Sequence, residues 1–539
     1  MDRCDYLIVG GGSAGCVLAN RLSADGRYQV VLLEAGPDDT NPLIHIPFGV
    51  VPLVRGWFAN WKFWSVPQPA LGNRPTYQPR GKVLGGCSSI NAMVCTRGHR
   101  WDYDHWASLG CEGWSYDEVL PYFRKSETYA GPLREENQPF HGTDGPLHVD
   151  TRESLNPLTH VFIKAAQQAG HRANDDFNGV EQEGVGTFKV FQKGGRRYSN
   201  AQAYLTPEVR ARRNLRIVTH AQATRVLFDG DRAVGVQLKL KGRDEQIRAE
   251  REVILSAGAF QSPQLLMLSG IGPRAELQRH GIDVKVDLPG VGENLQDHLE
   301  VIVETRAKCR NGVSLHPTSL WRGLKNLFAY LFGRSGEFAS NVVEAGGFFK
   351  SRADEPIPDL QWHFAAVPNV YHGFRLAPML TGYGYIAYVC DLRPASRGKL
   401  GLNSADPLAP PRIDPRYLTE ERDWRRLVDG VRLTREVLSQ PAFADHCAEE
   451  LQPGPAVQTD EQIRAWIATS AETIYHPAGT CKMGVDAMAV VDPQLRVRGV
   501  RGLRVVDASI MPTLNGSNTN APTSMIAEKA ADLILRAAQ

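Results

Sequence analysis

Apolar and polar positions follow two rhythms from the start of the chain. Tyr6-Leu7-Ile8-Val9 is an unbroken apolar run, and its length and β-branched members predict a strand buried on both faces, as in a parallel sheet. Val17, Leu18, Ala19 and Leu22 then return at helical spacing, and Val30-Val31-Leu32-Leu33 predicts a second strand. The same reading places strands at Leu215–Val218, Thr224–Phe228 and Val234–Leu240. Another, Val253 to Gly258, runs into a helix carrying Leu265, Leu266 and Leu268. Residues 101–128 predict helix, with Trp101, Trp106, Leu109, Val119, Leu120 and Phe123 turned to the core. A strand near Tyr383–Asp391, a helix near Trp424–Leu438, a last strand at Leu503–Asp507 and a closing helix with Ile526, Ala530, Leu533 and Ile534 follow. Between Glu34 and Pro79 the chain is rich in Pro, Gly and Trp, which predicts an excursion over the first unit.

The junction of the first strand and helix reads Gly10-Gly11-Gly12-Ser13-Ala14-Gly15, the spacing G-x-G-x-x-G. Gly10 makes the tight turn, Gly12 admits a pyrophosphate to the backbone, and Gly15 lets helix pack on strand. The helix N-terminus offers free N–H groups to the phosphates. Glu34 closes the second strand, where an acid accepts hydrogen bonds from a ribose and disfavours a 2′-phosphate. Strands of this nucleotide-binding kind near residues 6, 30, 253 and 503 predict two interleaved domains. Residues 1–155, 215–305 and 485–539 are assigned to the nucleotide domain, and 156–214 and 306–484 to a second one.

Composition narrows the class. The 539 residues are 42% hydrophobic and 22% charged with a net charge of +2, which gives no polyanion footprint and argues against nucleic acid. Nine scattered cysteines without a CxxC pair predict neither a disulfide framework nor a metal site, but reduced thiols in the cytoplasm. The first strand leaves no room for a signal peptide, and no apolar run is long enough to span a bilayer.

Four motifs carry a resemblance. They are the glycine turn with Glu34; Gly81-Lys82-Val83-Leu84-Gly85-Gly86-Cys87-Ser88-Ser89-Ile90-Asn91-Ala92-Met93; Gly258 to Gly272; and His476-Pro477-Ala478-Gly479-Thr480 followed by Asn518-Thr519-Asn520-Ala521-Pro522-Thr523. Over essentially its full length the chain resembles the glucose-methanol-choline (GMC) oxidoreductases, most closely the choline and alkanol dehydrogenase branch. The resemblance implies an α/β fold, with a Rossmann-like FAD-binding domain and an interleaved substrate domain built on an antiparallel sheet. It implies that FAD contacts Gly10, Gly12, Ser13, Ala14, Gly15, Glu34, Ala35, Gly85, Gly86, Ser89, Asn91, Ala92, Met93, Val226, Ala257, Gly258, Asp507, Ala508, Asn518 and Thr519. Some relatives attach FAD through a histidine at the position of Ile90; isoleucine cannot form that bond, so a non-covalent cofactor is expected.

The implied reaction is oxidation of a primary alcohol to an aldehyde, with a hydride passing to flavin N5. His476 aligns with the family's base and Asn520 with its second active-site position, Asn518 being the competing assignment. His363 and Tyr475 are pocket candidates, and Glu344 is read as a structural acid. A quinone-like acceptor is expected, with choline oxidation, an O₂-using oxidase and a non-redox lyase as alternatives. Choline would require an aromatic cage, for which Trp57, Trp61, Trp64 and Trp362 are available. Residues 319–334 predict an amphipathic helix flanked by Arg322, Lys325 and Arg334. It is expected to pack on the substrate domain, to cover the site entrance, or to rest on the inner face of the cell membrane.

Overall fold

Two seven-stranded sheets organise the computed structural model, which describes residues 3–152 and 155–538. In the first sheet, β1 (Arg3–Val9) and β2 (Val30–Leu33) are parallel neighbours joined through α1 (Ser13–Leu22). Leu7, Ile8 and Leu32 are wholly buried, because both faces of the sheet are covered there; Tyr6–Val9 and β2 therefore do not alternate with polar residues. β2 pairs onward with Leu215–Val218, and β1 with β3 (Arg243–Leu255). The end of β3 pairs in parallel with Leu503–Val505, so the C-terminal part of the chain completes a sheet begun at residue 3. Its beginning pairs antiparallel with Arg232–Leu240, which pairs with Ala221–Asp229. The chain leaves β3 into α2 (Gly258–Leu268). The last helix, Asn520–Ala537, packs on α1, where the buried Glu528 receives both Nε and Nη2 of Arg21.

The second sheet is antiparallel throughout. Its spine is β4 (Leu299–Ala307), β5 (Val343–Phe349), β6 (Leu360–Ala365) and β7 (Gly384–Asp391), in the spatial order β4-β7-β6-β5. Helices Pro157–Gln168 and Glu421–Leu438 cover one face over Phe162, Trp362, Phe364, Val389, Leu427 and Val431. Glu300, Ile302 and Glu304 share the opposite face of β4, with Tyr388 paired to Ile302 and to His363.

Two expectations need correction. Residues 101–128 form two helices, Arg100–Ser108 and Tyr116–Ser126, separated by a turn in which Gly110 and Gly113 have positive φ. Trp101 and Leu109 are exposed at 42% and 43%, and Trp101 stacks on His105 beneath the Arg393 guanidinium instead of entering the core. Near the boundaries expected at 214 and 305, the elements of the two units interdigitate. Helix Asn200–Tyr204 packs on α1 of the first unit, and β4 of the second sheet already begins at Leu299.

Candidate active site

The turn after β1 is built by close approach. At Gly10, whose φ is +104°, a Cβ would lie 2.5 Å from the Ser256 carbonyl oxygen. At Gly15 it would lie 1.9 Å from the Gly10 carbonyl oxygen, so α1 presses directly on the turn. Gly12 differs, because a Cβ there meets nothing nearer than 3.9 Å. It faces a cavity of about 660 Å³ that runs between the two sheets. Gly86 opposes Gly12, and a Cβ on it would sit 2.8 Å from the Gly12 Cα. Gly85 holds that apposition by donating its N–H to the Gly11 carbonyl at 2.7 Å.

Glu34 is buried on the wall of this cavity. Its two oxygens accept the Gly11 and Gly36 N–H groups at 3.0 and 2.8 Å. Each oxygen keeps a further acceptor position, which suits a pair of ribose hydroxyls. Burial pushes the carboxyl up to about 7, against the pull of those N–H donors. Asp507 is held by Gly258 N–H and the Ser262 hydroxyl at 2.8 and 2.6 Å, and caps Ser509 N–H at 2.8 Å. Burial raises it as well.

The opposite wall carries a chain of hydrogen bonds. His476 Nδ1 lies 3.0 Å from His298 Nδ1, and His298 Nε2 lies 3.1 Å from the Leu392 carbonyl oxygen. A carbonyl only accepts, so His298 carries its proton on Nε2 and accepts at Nδ1. His476 must then donate from Nδ1, which leaves its Nε2 as a bare lone pair. Asn518 Nδ2 donates to that nitrogen at 3.2 Å. The Asn518 amide is oriented by Thr96 Oγ1 and Gln361 Nε2, which donate to its Oδ1 at 3.0 and 3.2 Å. Asp297 anchors the backbone by accepting His476 N–H at 2.8 Å, and it also receives Tyr417 and Thr473 hydroxyls at 2.6 and 2.5 Å. Burial, with His298, His363 and the Arg80 guanidinium nearby, holds the His476 imidazole well below its ordinary range. Burial also brings His298 down to about 3.

Of the residues expected at the cofactor, Gly10, Gly12, Ser13, Ala14, Glu34, Ala35, Gly86, Asn91, Ala92, Met93, Ala257, Gly258, Asp507, Ala508, Asn518 and Thr519 line the cavity, as do His363, Tyr475 and His476. Gly15, Gly85, Ser89 and Val226 stand behind its wall. Ser89 turns its hydroxyl to the Leu84 carbonyl, and Val226 N–H is taken by Ser269 Oγ. Ala221, Gln222 and Ala223 are the residues of that strand that reach the cavity. The two asparagines weighed for the second active-site position are placed differently. Asn520 lines the cavity but accepts the Ser13 hydroxyl at 2.7 Å and donates to Asn200 at 3.3 Å, whereas Asn518 alone of the two meets His476. Glu344 is structural, receiving Asn156 N–H, the Ser340 and Thr159 hydroxyls and the Arg152 guanidinium. Among the tryptophans, Trp61 lines the cavity, Trp362 is stacked on Phe349 in the core, and Trp57 and Trp64 are exposed.

His298, Glu300, Glu304, Tyr388, Glu472 and Arg80 are site residues that the motifs did not mark. The alternation Glu300-x-Ile302-x-Glu304 is a strand signal with acids on one face, and it is the trace that could have found two of them.

Comparison with known proteins decides the family. The N-terminal profile of the GMC oxidoreductases matches residues 4–300 and the C-terminal profile residues 394–527. The chain is a GMC oxidoreductase. It is 50% identical over 534 residues to the alcohol dehydrogenase [acceptor] of Pseudomonas putida, covering 99% of this chain and 96% of that one. The oxygen-dependent choline dehydrogenase of Brucella ovis is 44% identical over 536 residues, with the same coverage. The crystal structure of pyridoxine 4-oxidase from Mesorbium loti superposes with a TM-score of 0.88 at 32% identity, covering 98% of each chain. As in other GMC oxidoreductases, the cofactor is FAD, and the cavity fits it. The Gly12–Gly86 cradle leaves backbone open to a pyrophosphate, Glu34 offers free acceptor positions, and one continuous space joins them to His476.

Proposed function

We propose that this enzyme oxidises a primary alcohol to an aldehyde, with His476 Nε2 taking the hydroxyl proton, and passes the electrons to a quinone-like carrier. The chemistry that FAD supplies when bound is acceptance of the carbinol hydride. The observation that carries the reading is the tautomer chain from the Leu392 carbonyl through His298, which leaves His476 Nε2 unprotonated and facing the cavity. A base needs that lone pair and a pKa that keeps it free near neutrality. Asn518 Nδ2 steadies the ring, and can turn its N–H to the substrate oxygen as negative charge gathers there. His363 supports the same wall. It is buried, with the Asn518 amide as its one polar neighbour among the described residues, and burial brings it down to about 4, so it stands as a neutral donor or acceptor for a polar substrate. Ile90 lies on the cavity wall and offers no covalent link, which supports a dissociable cofactor.

One observation favours a cationic alcohol such as choline as a second reading. Glu300 Oε2 is buried without a partner among the described residues, on a wall shared with Tyr388 and Tyr475. Burial beside Glu472 and Asp297 pushes the Glu300 carboxyl well up, so an ammonium group seated against it and the tyrosine faces is the partner that would ionise it. Anaerobic mixing of the yellow enzyme with alkanols and with choline separates the two. Bleaching by alkanols alone supports the first reading, bleaching by choline alone the second, and bleaching by no alcohol contradicts both. Admitting a quinone and then O₂ to the bleached enzyme identifies the acceptor.

A further inference from the structure

The helix Leu320–Gly333 buries a single residue, Tyr330. Leu320, Trp321 and Phe332 are 69%, 83% and 84% exposed, and Phe328 and Leu331 beside them are more than half exposed. Phe328 and Phe332 stack with centroids 6.1 Å apart, so the patch is continuous and not a scatter of single side chains. An apolar surface of this kind marks a contact site. From the helix and its surroundings we propose that this face docks on an anionic bilayer surface and sets the cavity mouth against the membrane.

Charge selects the occupant. Residues 306–336 contain Arg306, Lys308, Arg310, Arg322, Lys325 and Arg334 and no Asp or Glu, in a chain whose net charge is only +2. Arg306 pairs with Glu449 and Arg322 with Glu337, while Lys325 and Arg334 make no ion pair among the described residues. Aromatic and aliphatic side chains framed by uncompensated cations match the headgroup region of an anionic leaflet. A two-fold dimer through the same face would bring like charges together. No helix among the described residues is long and apolar enough to cross a membrane, so the contact is with one leaflet.

Position gives the docking a use. Ahead of the helix, Leu315 N–H bonds the Met379 carbonyl at 2.9 Å, and Ser314 Oγ bonds the Met379 and Gly382 carbonyls at 2.7 Å each; Pro378 of this segment lines the cavity. Behind it, Tyr330 packs on Phe338 and Phe338 on Phe48, next to the cavity-lining Val50 and Val51. The helix therefore bridges two segments that border the cavity. A lipophilic alcohol or quinone would reach the flavin without crossing bulk water; that use rests on the acceptor proposed above, whereas the docking rests on the surface alone.

Co-sedimentation of the FAD-loaded enzyme tests it, with vesicles of phosphatidylcholine alone and of phosphatidylcholine mixed with phosphatidylglycerol, at low and high salt. Binding to the anionic vesicles that weakens with salt is the expected result. Trp321→Ser combined with Phe332→Ser, and separately Lys325→Glu, should each lower partitioning by roughly tenfold. All three side chains lie outside the cavity, so oxidation with a soluble dye acceptor should be unchanged. The docking is overturned if the anionic vesicles bring down no enzyme at low salt. It is equally overturned if the variants bind as the parent does, or if sedimentation velocity shows a dimer that they disperse.

Discussion

Asn518 and Asn520 stand two residues apart and face different tasks. Asn518 meets the His476 lone pair, while Asn520 sits in the first turn of the last helix and ties it to Ser13 at the start of α1. Asn518→Ala should lower the rate of flavin reduction by roughly 10²–10³ with flavin content kept, as loss of a donor to a developing oxyanion does. Asn520→Ala should instead loosen FAD and leave the rate per bound flavin within a few-fold; measured flavin-to-protein ratios and stopped-flow rates distinguish the two. A second prediction concerns pH. In the proposed mechanism the neutral form of His476 is the active one, and burial with cationic neighbours holds its pKa below the ordinary histidine range. The acid limb of kcat/KM should therefore lie below pH 6.5, with activity lost as pH falls through it. His298→Phe removes the acceptor that fixes the tautomer, so the rate should fall and the position of the limb should move; a limb that stays put would count against the chain of bonds. The motif pointed to His476, and the fold sets it on the cavity wall. The motif did not separate the two asparagines, because it supplies spacing and only the fold decides which amide turns inward.

At the scale of elements, the glycine turn was legible because its chemistry is local. Strand, glycines, helix, strand and acid each leave a pattern within about 30 residues. The face of β4 was not legible. Glu300 and Glu304 alternate with Ile302 as strand positions do, but only the packing of the two sheets decides that this face turns inward. The paired helices near residue 100 both fall in the stretch expected to be helical, and Gly110 and Gly113 at positive φ part them. The apposition of Gly12 and Gly86 yields a prediction at this scale. Gly86→Ala places a methyl group 2.8 Å from backbone at a positive φ, where neither side can retreat cheaply. Purified G86A should carry far less flavin than the parent while keeping a folded far-ultraviolet dichroism spectrum, and full flavin occupancy would remove the cradle from the account.

Across the whole molecule, interleaving was legible from the strand near residue 503, which returns to the sheet begun by β1. β4 starts the second sheet at Leu299, close to where the chain leaves the first. The arrangement places the cofactor's phosphate cradle on one sheet and the histidine chain against the other, so the proposed catalysis depends on both units meeting across one cavity. The most direct measurement of that claim is the anaerobic rate of flavin bleaching by a reactive primary alcohol, compared between the parent and His476→Ala at matched flavin content. The account predicts a fall of roughly 10²–10⁴, the range for loss of a general base. A fall of less than about fivefold, with FAD still bound, would contradict it.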